Sequence, residues 1–172
     1  MSKFIGYFTD RWLSWALLSS ALMLAIAHGF ETFGGYAPCS LCLQQRTVYW
    51  VAGAIAIIGL ILTSRRDLQR FRGGFNGMLA LTFAVGMVLA LYHAGAEWKW
   101  WPGPTTCASA GGKVDLAALA AIADGTAKIK PPACDQAAWR LFGLSMAGYN
   151  VLISLKLSLL SLMAAFSRRS FT

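Results

Sequence analysis

Four cysteines carry the most distinctive chemistry in this 172-residue chain, and they fall into two pairs of different kinds. Cys39 and Cys42 stand close together in Pro38-Cys39-Ser40-Leu41-Cys42, whereas 26 residues separate Cys107 from Cys134. An even, pairable set suits an oxidising compartment. For the close pair a structural bridge, a metal site and a redox dithiol are all open readings. Closing so short a loop removes little entropy from the unfolded chain, so the pair makes a poor staple. Zinc wants a second close pair or histidines at ligand spacing, and here the other cysteines are far apart and His28 and His93 are isolated. A redox dithiol needs two sulfurs within mutual reach and a position that favours thiolate. The spacing favours that reading.

Arg46 strengthens it. If a helix starts near Cys42, Arg46 lies four residues on, on the same face and one turn deeper. The helix N-terminus and the guanidinium would then both favour a thiolate at Cys42. The plainer reading of Arg46 is a charge that ends a membrane span. A Cys107–Cys134 bridge would close a loop of 28 residues, worth roughly 3.5 kcal/mol in unfolded-state entropy, which makes a structural disulfide reasonable there. Yet the enclosed stretch is rich in Gly and Ala, with Gly111-Gly112, Gly125 and Pro131-Pro132, and its one short apolar helical candidate is Asp115 to Ala123. A mobile bridge of that kind is open to another protein's thiolate. Four cysteines permit three connectivities. No dinucleotide fingerprint, haem attachment motif or iron–sulfur spacing offers electrons an exit. A diffusible acceptor in the bilayer would, and Arg46 beside Cys42 at the lipid boundary is where an anionic reduced quinone could be held.

The elements that position these residues follow from composition. The chain is 57% hydrophobic and 13% charged, against ~25% charged residues in an average soluble domain. That nearly rules out a water-soluble monomer and excludes disorder. The net charge of +8 then reads as membrane topology before nucleic-acid binding. Four charge-poor stretches are each long enough for a ~30 Å hydrocarbon core. The expected fold class is all-α and integral to the membrane: one domain over residues 1–172, a four-transmembrane-helix bundle with helices at about 12–30, 47–64, 73–96 and 141–166. Arg65, Arg66, Arg70 and Arg72 crowd the short connection 65–72, and Arg168 and Arg169 follow the last span. Both termini and that connection are therefore expected in the cytoplasm, beside Lys3 and Arg11. Loops 31–46 and 97–140, with all four cysteines, fall on the other side.

Lys3, Arg11 and the apolar run before Ala25-Ile26-Ala27 would also suit a secretory signal. The run is longer than a signal core and three spans follow, so an uncleaved first helix is expected. Trp12 and Trp15 at one face, and Trp98, Trp100 and Trp101 at the other, read as interfacial belts. Small residues at helical spacing read as packing faces: Ala52 with Ala56; Gly77, Ala80 and Ala84; Asn150, Ser154, Ser158 and Ser161. Lys156 sits well inside the fourth span, but ~200° around the helix from the Ser154 stripe. It is expected to face lipid and snorkel.

The chain resembles the disulfide bond formation protein B (DsbB) family of bacterial inner-membrane, quinone-dependent thiol oxidases. The residues that carry the likeness are Pro38-Cys39-Ser40-Leu41-Cys42 followed by Gln45-Arg46, Tyr92-His93 at the end of the third span, Cys107 and Cys134, and Gly143-Leu144-Ser145-Met146 opening the fourth. The resemblance implies periplasmic loops at 31–46 and 97–140. It also implies a periplasmic thioredoxin-fold partner, DsbA, whose dithiol attacks a Cys107–Cys134 bridge. Cys107 would take the mixed disulfide and Cys134 would pass the exchange to Cys39–Cys42. Cys42 would deliver two electrons to ubiquinone or menaquinone, with Arg46 stabilising negative charge. His93 carries over as a quinone-pocket residue, against the plain reading of an interfacial His capping the third span; His28 takes the plain reading. The alternatives are a four-span structural or transport protein with two structural disulfides, and a reductase of the vitamin K epoxide type. In the latter the active pair should lie near a later helix.

Overall fold

The computed structural model describes residues 8–103, 134, 137 and 139–167. Cys107, the helical candidate from Asp115 to Ala123, and the basic residues Lys3, Arg168 and Arg169 lie outside the described residues. The elements run α1 (Trp12–Thr32), α2 (Ser40–Thr63), a 3-10 turn (Arg66–Phe71), α3 (Arg72–Glu97), β1 (Arg140–Leu141), β2 (Leu144–Ser145) and α4 (Met146–Phe166). Each helix is long and apolar enough to cross a bilayer. An apolar run of this length can meet lipid only with its backbone groups satisfied internally, hence as helix. The helices pack in chain order, α1 on α2, α2 on α3 and, most extensively, α3 on α4. The protein is a multi-pass helical membrane protein.

Two helices begin elsewhere than the charge pattern predicts. α2 starts at Ser40 instead of near 47, because Cys39 is extended (φ −78°, ψ 171°) and its sulfur caps the helix by accepting the Cys42 N–H. Arg46, expected to end a loop, therefore lies in the second turn. α4 starts at Met146 instead of 141. Phe142 (φ 49°) and Gly143 (φ 82°) make a tight turn, which pairs Arg140 with Ser145 and Leu141 with Leu144 in a two-stranded antiparallel ribbon. Ser145 Oγ then caps α4 by accepting the Gly148 N–H at 3.1 Å. Both corrections have one cause: a capping side chain satisfies helix N–H groups that charge counting does not see.

The core holds Trp12, Leu13, Ala16, Ala52, Ala56, Leu79 and Phe83. Trp12 is thus no interfacial anchor. Its indole is buried and donates to Ser161 Oγ at 2.8 Å, joining α1 to α4. Trp15, at the same end of α1, is exposed as expected, and so are Trp98 and Trp100. Ala52 and Ala56 are buried, as are Asn150, Ser154 and Ser161. On α3 the buried stripe is shifted from the expected one: Asn76, Leu79, Ala80, Phe83, Gly86 and Ala90 face inward, and of the three small residues named from the sequence only Ala80 is buried. Cross-helix hydrogen bonds run from Ser158 Oγ to Ala80 O at 2.9 Å and from Asn76 Nδ2 to Ala164 O at 3.2 Å. In lipid such contacts and close backbone approach replace the hydrophobic drive between helices. Leu18, Ile58, Leu81 and Leu159 point outward, and Lys156 is exposed.

Gly86 marks the close approach of α2 and α3, since a Cβ there would stand 2.9 Å from Val48 Cγ1, whereas a Cβ at Gly77 would meet nothing within 4 Å. Gly86→Val is expected to lower stability by about 1–3 kcal/mol through overpacking. Gly77→Ala should be neutral or gain up to about 1 kcal/mol. Unfolding by a denaturing detergent, followed by tryptophan fluorescence, measures both; equal losses would contradict the α2–α3 contact.

Candidate active site

Cys39 and Cys42 occupy the N-cap and first turn of α2, so one turn of helix brings the sulfurs together at 2.8 Å, both as free cysteines. The two are not equivalent. Cys39 is buried and gathers the donors: the Cys42 thiol, the Cys42 backbone N–H at 3.3 Å and His93 Nε2 at 3.7 Å. The hydrogen bond from the Cys42 thiol, helped by that from His93 and outweighing the cost of burial, holds the Cys39 thiol well below the usual cysteine range. The expectation of a thiolate favoured at Cys42 by Arg46 is thus not what the geometry emphasises. Arg46 Nη1 pairs with Glu31 Oε2 at 2.5 Å and Nη2 donates to Ala27 O at 3.0 Å, which ties α2 to α1.

His93, isolated in the sequence, comes from the last turns of α3 to the sulfur pair. Behind it runs a directed chain of hydrogen bonds. Tyr49 Oη donates to Asn150 Oδ1, Asn150 Nδ2 donates to Gln45 Oε1 at 2.5 Å, and Gln45 Nε2 donates to His93 Nδ1 at 2.9 Å. With Nδ1 accepting, Nε2 carries the ring proton and presents it to Cys39 Sγ. Glu97, one turn further along α3, places Oε1 at 3.7 Å from His93 Nε2, and its buried Oε2 meets no hydrogen-bond partner among the described residues.

Cys42, Gln45, Arg46, Tyr49, His93 and Asn150 also line one cavity of about 390 Å³, whose other walls are mainly apolar and include Met23, Leu24, Phe30 and Ile153. On the far side of the pair, Cys134 is buried against Cys39 and Leu41, with its sulfur 3.9 Å from Ser40 Oγ. Cys134 is held in a disulfide. The structure therefore brings Cys39, Cys42, Arg46, His93 and Cys134 to one end of the bundle. His28, with Nδ1 at 2.8 Å from Leu24 O and an exposed ring, takes no part.

Sequence reasoning gave no site role to Gln45, named only within the family motif, or to Asn150, read as a packing residue, and did not single out Tyr49, Glu31 or Glu97. Asn150 was already on an inward face by its spacing with Ser154, and Gln45 and Tyr49, four apart on α2, could have been put on one in the same way. Nothing in the sequence pairs Glu31 with Arg46, or His93 with the cysteines, because those meetings need the helix packing; Glu97, four residues after His93 on α3, could have been placed beside it by helical spacing alone.

A four-span helical protein that holds a free dithiol at one helix mouth, against a cysteine already in a disulfide, defines the class: a membrane thiol–disulfide protein. The family model described as disulfide bond formation protein DsbB matches residues 9–164, and the chain belongs to that family. It is therefore a disulfide bond formation protein. Among relatives named disulfide bond formation protein B, that of Dechloromonas aromatica is 26% identical over 83% of each chain. That of Xylella fastidiosa is 27% identical over 87% of this chain and 82% of its own. That of Nitrosospira multiformis reaches 32%, over 43% of this chain and 48% of its own. No solved structure matches significantly.

A variant with Cys42, Cys107 and Cys134 changed to Ser keeps a hydroxyl donor beside Cys39 and leaves Cys39 as its one thiol. Its ultraviolet thiolate absorbance should persist well below the pH near 8.5 at which a free cysteine titrates. Adding His93→Phe should move the midpoint upward. The sign for stability follows: a thiol depressed in the folded state contributes stability above its unfolded pKa, lost as pH falls through the folded one. A midpoint indifferent to His93 would contradict the donor geometry.

Proposed function

We propose that the protein is a quinone-dependent thiol oxidase of the bacterial inner membrane, its cysteines facing the periplasm, that reoxidises a DsbA-like thioredoxin-fold partner. The observation that carries this reading is the division of surroundings within the first pair: Cys39 packs against Cys134, while Cys42 lines the cavity. The partner's dithiol attacks a Cys107–Cys134 bridge, taking Cys107 in a mixed disulfide. The freed Cys134 thiolate attacks Cys39 in the oxidised Cys39–Cys42 pair, and the broken S–S bond leaves its electron pair on Cys42 as thiolate. Donors around Cys39 speed each later step that breaks a bond to that sulfur, because a stabilised thiolate leaves faster.

The cavity fits a quinone. It is largely apolar, as a flat hydrocarbon-bearing ring requires, and its few polar groups could meet carbonyl oxygens. Ubiquinone or menaquinone would supply a two-electron, two-proton acceptor there. Arg46 would offer positive charge beside Cys42, held in place by Glu31 and the Ala27 carbonyl, and His93 an N–H. The arginines of the α2–α3 connection, at the opposite end of α2 from the cysteines, support the orientation by the positive-inside rule. The free state of Cys39 and Cys42 weighs against a protein whose cysteines are structural bridges.

The test is an anaerobic mixture of purified protein, a reduced thioredoxin-fold partner and quinone, followed by quinone absorbance. Cys42→Ser should abolish quinone reduction. Arg46→Ala should raise the quinone concentration for half-maximal rate by roughly 10- to 100-fold, as expected for losing a charge-assisted hydrogen bond. An unchanged quinone dependence would remove Arg46 from the acceptor site, and quinone reduction without Cys42 would end the proposal.

A further inference from the structure

Zinc needs ligands that the sequence keeps apart, and the fold brings them together. Sulfur of Cys39, sulfur of Cys42 and a ring nitrogen of His93 lie within 4.8 Å of one another. Glu97 adds a carboxylate oxygen 3.7 Å from His93 Nε2 and a second, buried oxygen that meets no hydrogen-bond partner among the described residues. We propose that in its dithiol form this cluster is a tetrahedral site for Zn2+, with Cys39, Cys42, His93 and Glu97 as ligands. Four such ligands at ordinary zinc bond lengths stand about 3.8 Å apart for two sulfurs, about 3.6 Å for sulfur and nitrogen, and about 3.4 Å for nitrogen and oxygen. The structure has 3.7 Å between Cys39 Sγ and His93 Nε2, and 3.7 Å between His93 Nε2 and Glu97 Oε1. The 2.8 Å sulfur contact must open by about 1 Å, and the Glu97 carboxylate, outside the group of three ligand atoms already within 4.8 Å of one another, must turn from His93 toward the sulfurs. Cys42, half-buried at the cavity, has the space to turn.

The hydrogen-bond chain behind His93 accommodates this. A metal-bound Nε2 must give up its proton, and Nδ1–H must then find an acceptor. Turning the Gln45 and Asn150 amides over reverses every bond without moving the helices: Nδ1–H donates to Gln45 Oε1, Gln45 Nε2 to Asn150 Oδ1, Asn150 Nδ2 to Tyr49 Oη, and Tyr49 Oη to Ser154 Oγ, now 3.0 Å away. Two thiolates and a carboxylate around Zn2+ leave one negative charge, and Arg140 acts electrostatically on Glu97. With Cys39 already held as thiolate, binding releases the thiol proton of Cys42 and transfers no electrons. The oxidised pair offers no thiolates, so the site exists only in the reduced protein, and zinc there would hold the pair out of turnover.

The site uses the sulfurs of the proposed function but neither quinone nor partner, so binding is read without turnover. The protein carries Cys107→Ser and Cys134→Ser to remove the other sulfurs. It is reduced or oxidised, then titrated anaerobically with Zn2+ against a chromophoric chelator, and in parallel with Co2+ as a spectroscopic probe. The reduced form should bind one equivalent and the oxidised form none, and Co2+ should show thiolate charge-transfer and tetrahedral ligand-field bands. Glu97→Gln, which preserves shape, and His93→Gln should each weaken Zn2+ by at least tenfold, with circular dichroism unchanged. Zinc bound equally by the oxidised form, Co2+ without thiolate bands, or affinity indifferent to either substitution would overturn the site. If quinone reduction fails while zinc binds as described, the proposed function falls and the metal site stands.

Discussion

A single buried amide, Gln45, holds the working end of the bundle together. It joins three helices at once, accepting from Asn150 on α4 and donating to His93 on α3 while rooted on α2. No water is at hand inside a bilayer to satisfy a stray polar group, so each of these side chains is stable only with the others in register. A slide of any of the three helices would leave several unpaired at once. The arrangement fixes the ring of His93, and through it the sulfur of Cys39.

From that fixed ring the asymmetry of the dithiol follows. A sulfur at a helix N-cap receives backbone and side-chain donors that a sulfur one turn inside does not. Cys39 therefore looks toward Cys134 and toward stabilised charge, while Cys42 looks into the cavity. Arg46 has a structural task alongside any electrostatic one, since its bonds to Glu31 and Ala27 close the cavity wall between α1 and α2. Small residues serve the same end elsewhere: Ala52, Ala56 and Gly86 let backbones approach until side chains such as Val48 and Phe83 fill the remaining space.

Particular elements show where sequence reasoning held and where it stopped. Inward stripes on α2 and α4 were legible because polar or small residues recur there at helical spacing. The stripe on α3 was not, because its inward face mixes Asn76, Leu79, Phe83 and Ala90, and large apolar residues carry no sign of which face meets protein and which meets lipid. Trp12 shows the same ambiguity, since a tryptophan near a helix end suits an interface or a core equally until a partner such as Ser161 is in reach. Helix starts were misplaced by several residues because they are set by the caps Cys39 and Ser145, not by charge.

The amino-acid sequence by itself determined four apolar helices, the pairing of Cys39 with Cys42, and the place of Arg46 one turn beyond Cys42 on the same helix, because length, composition and spacing along one helix are local properties. Only the tertiary structure decided that His93 reaches the sulfurs, that Cys134 packs on Cys39, and that Glu31 holds Arg46. Those partners lie on different helices or loops, and what selects them is the joint satisfaction of buried polar groups and close-packed faces across the whole bundle, a condition that no stretch of chain contains alone.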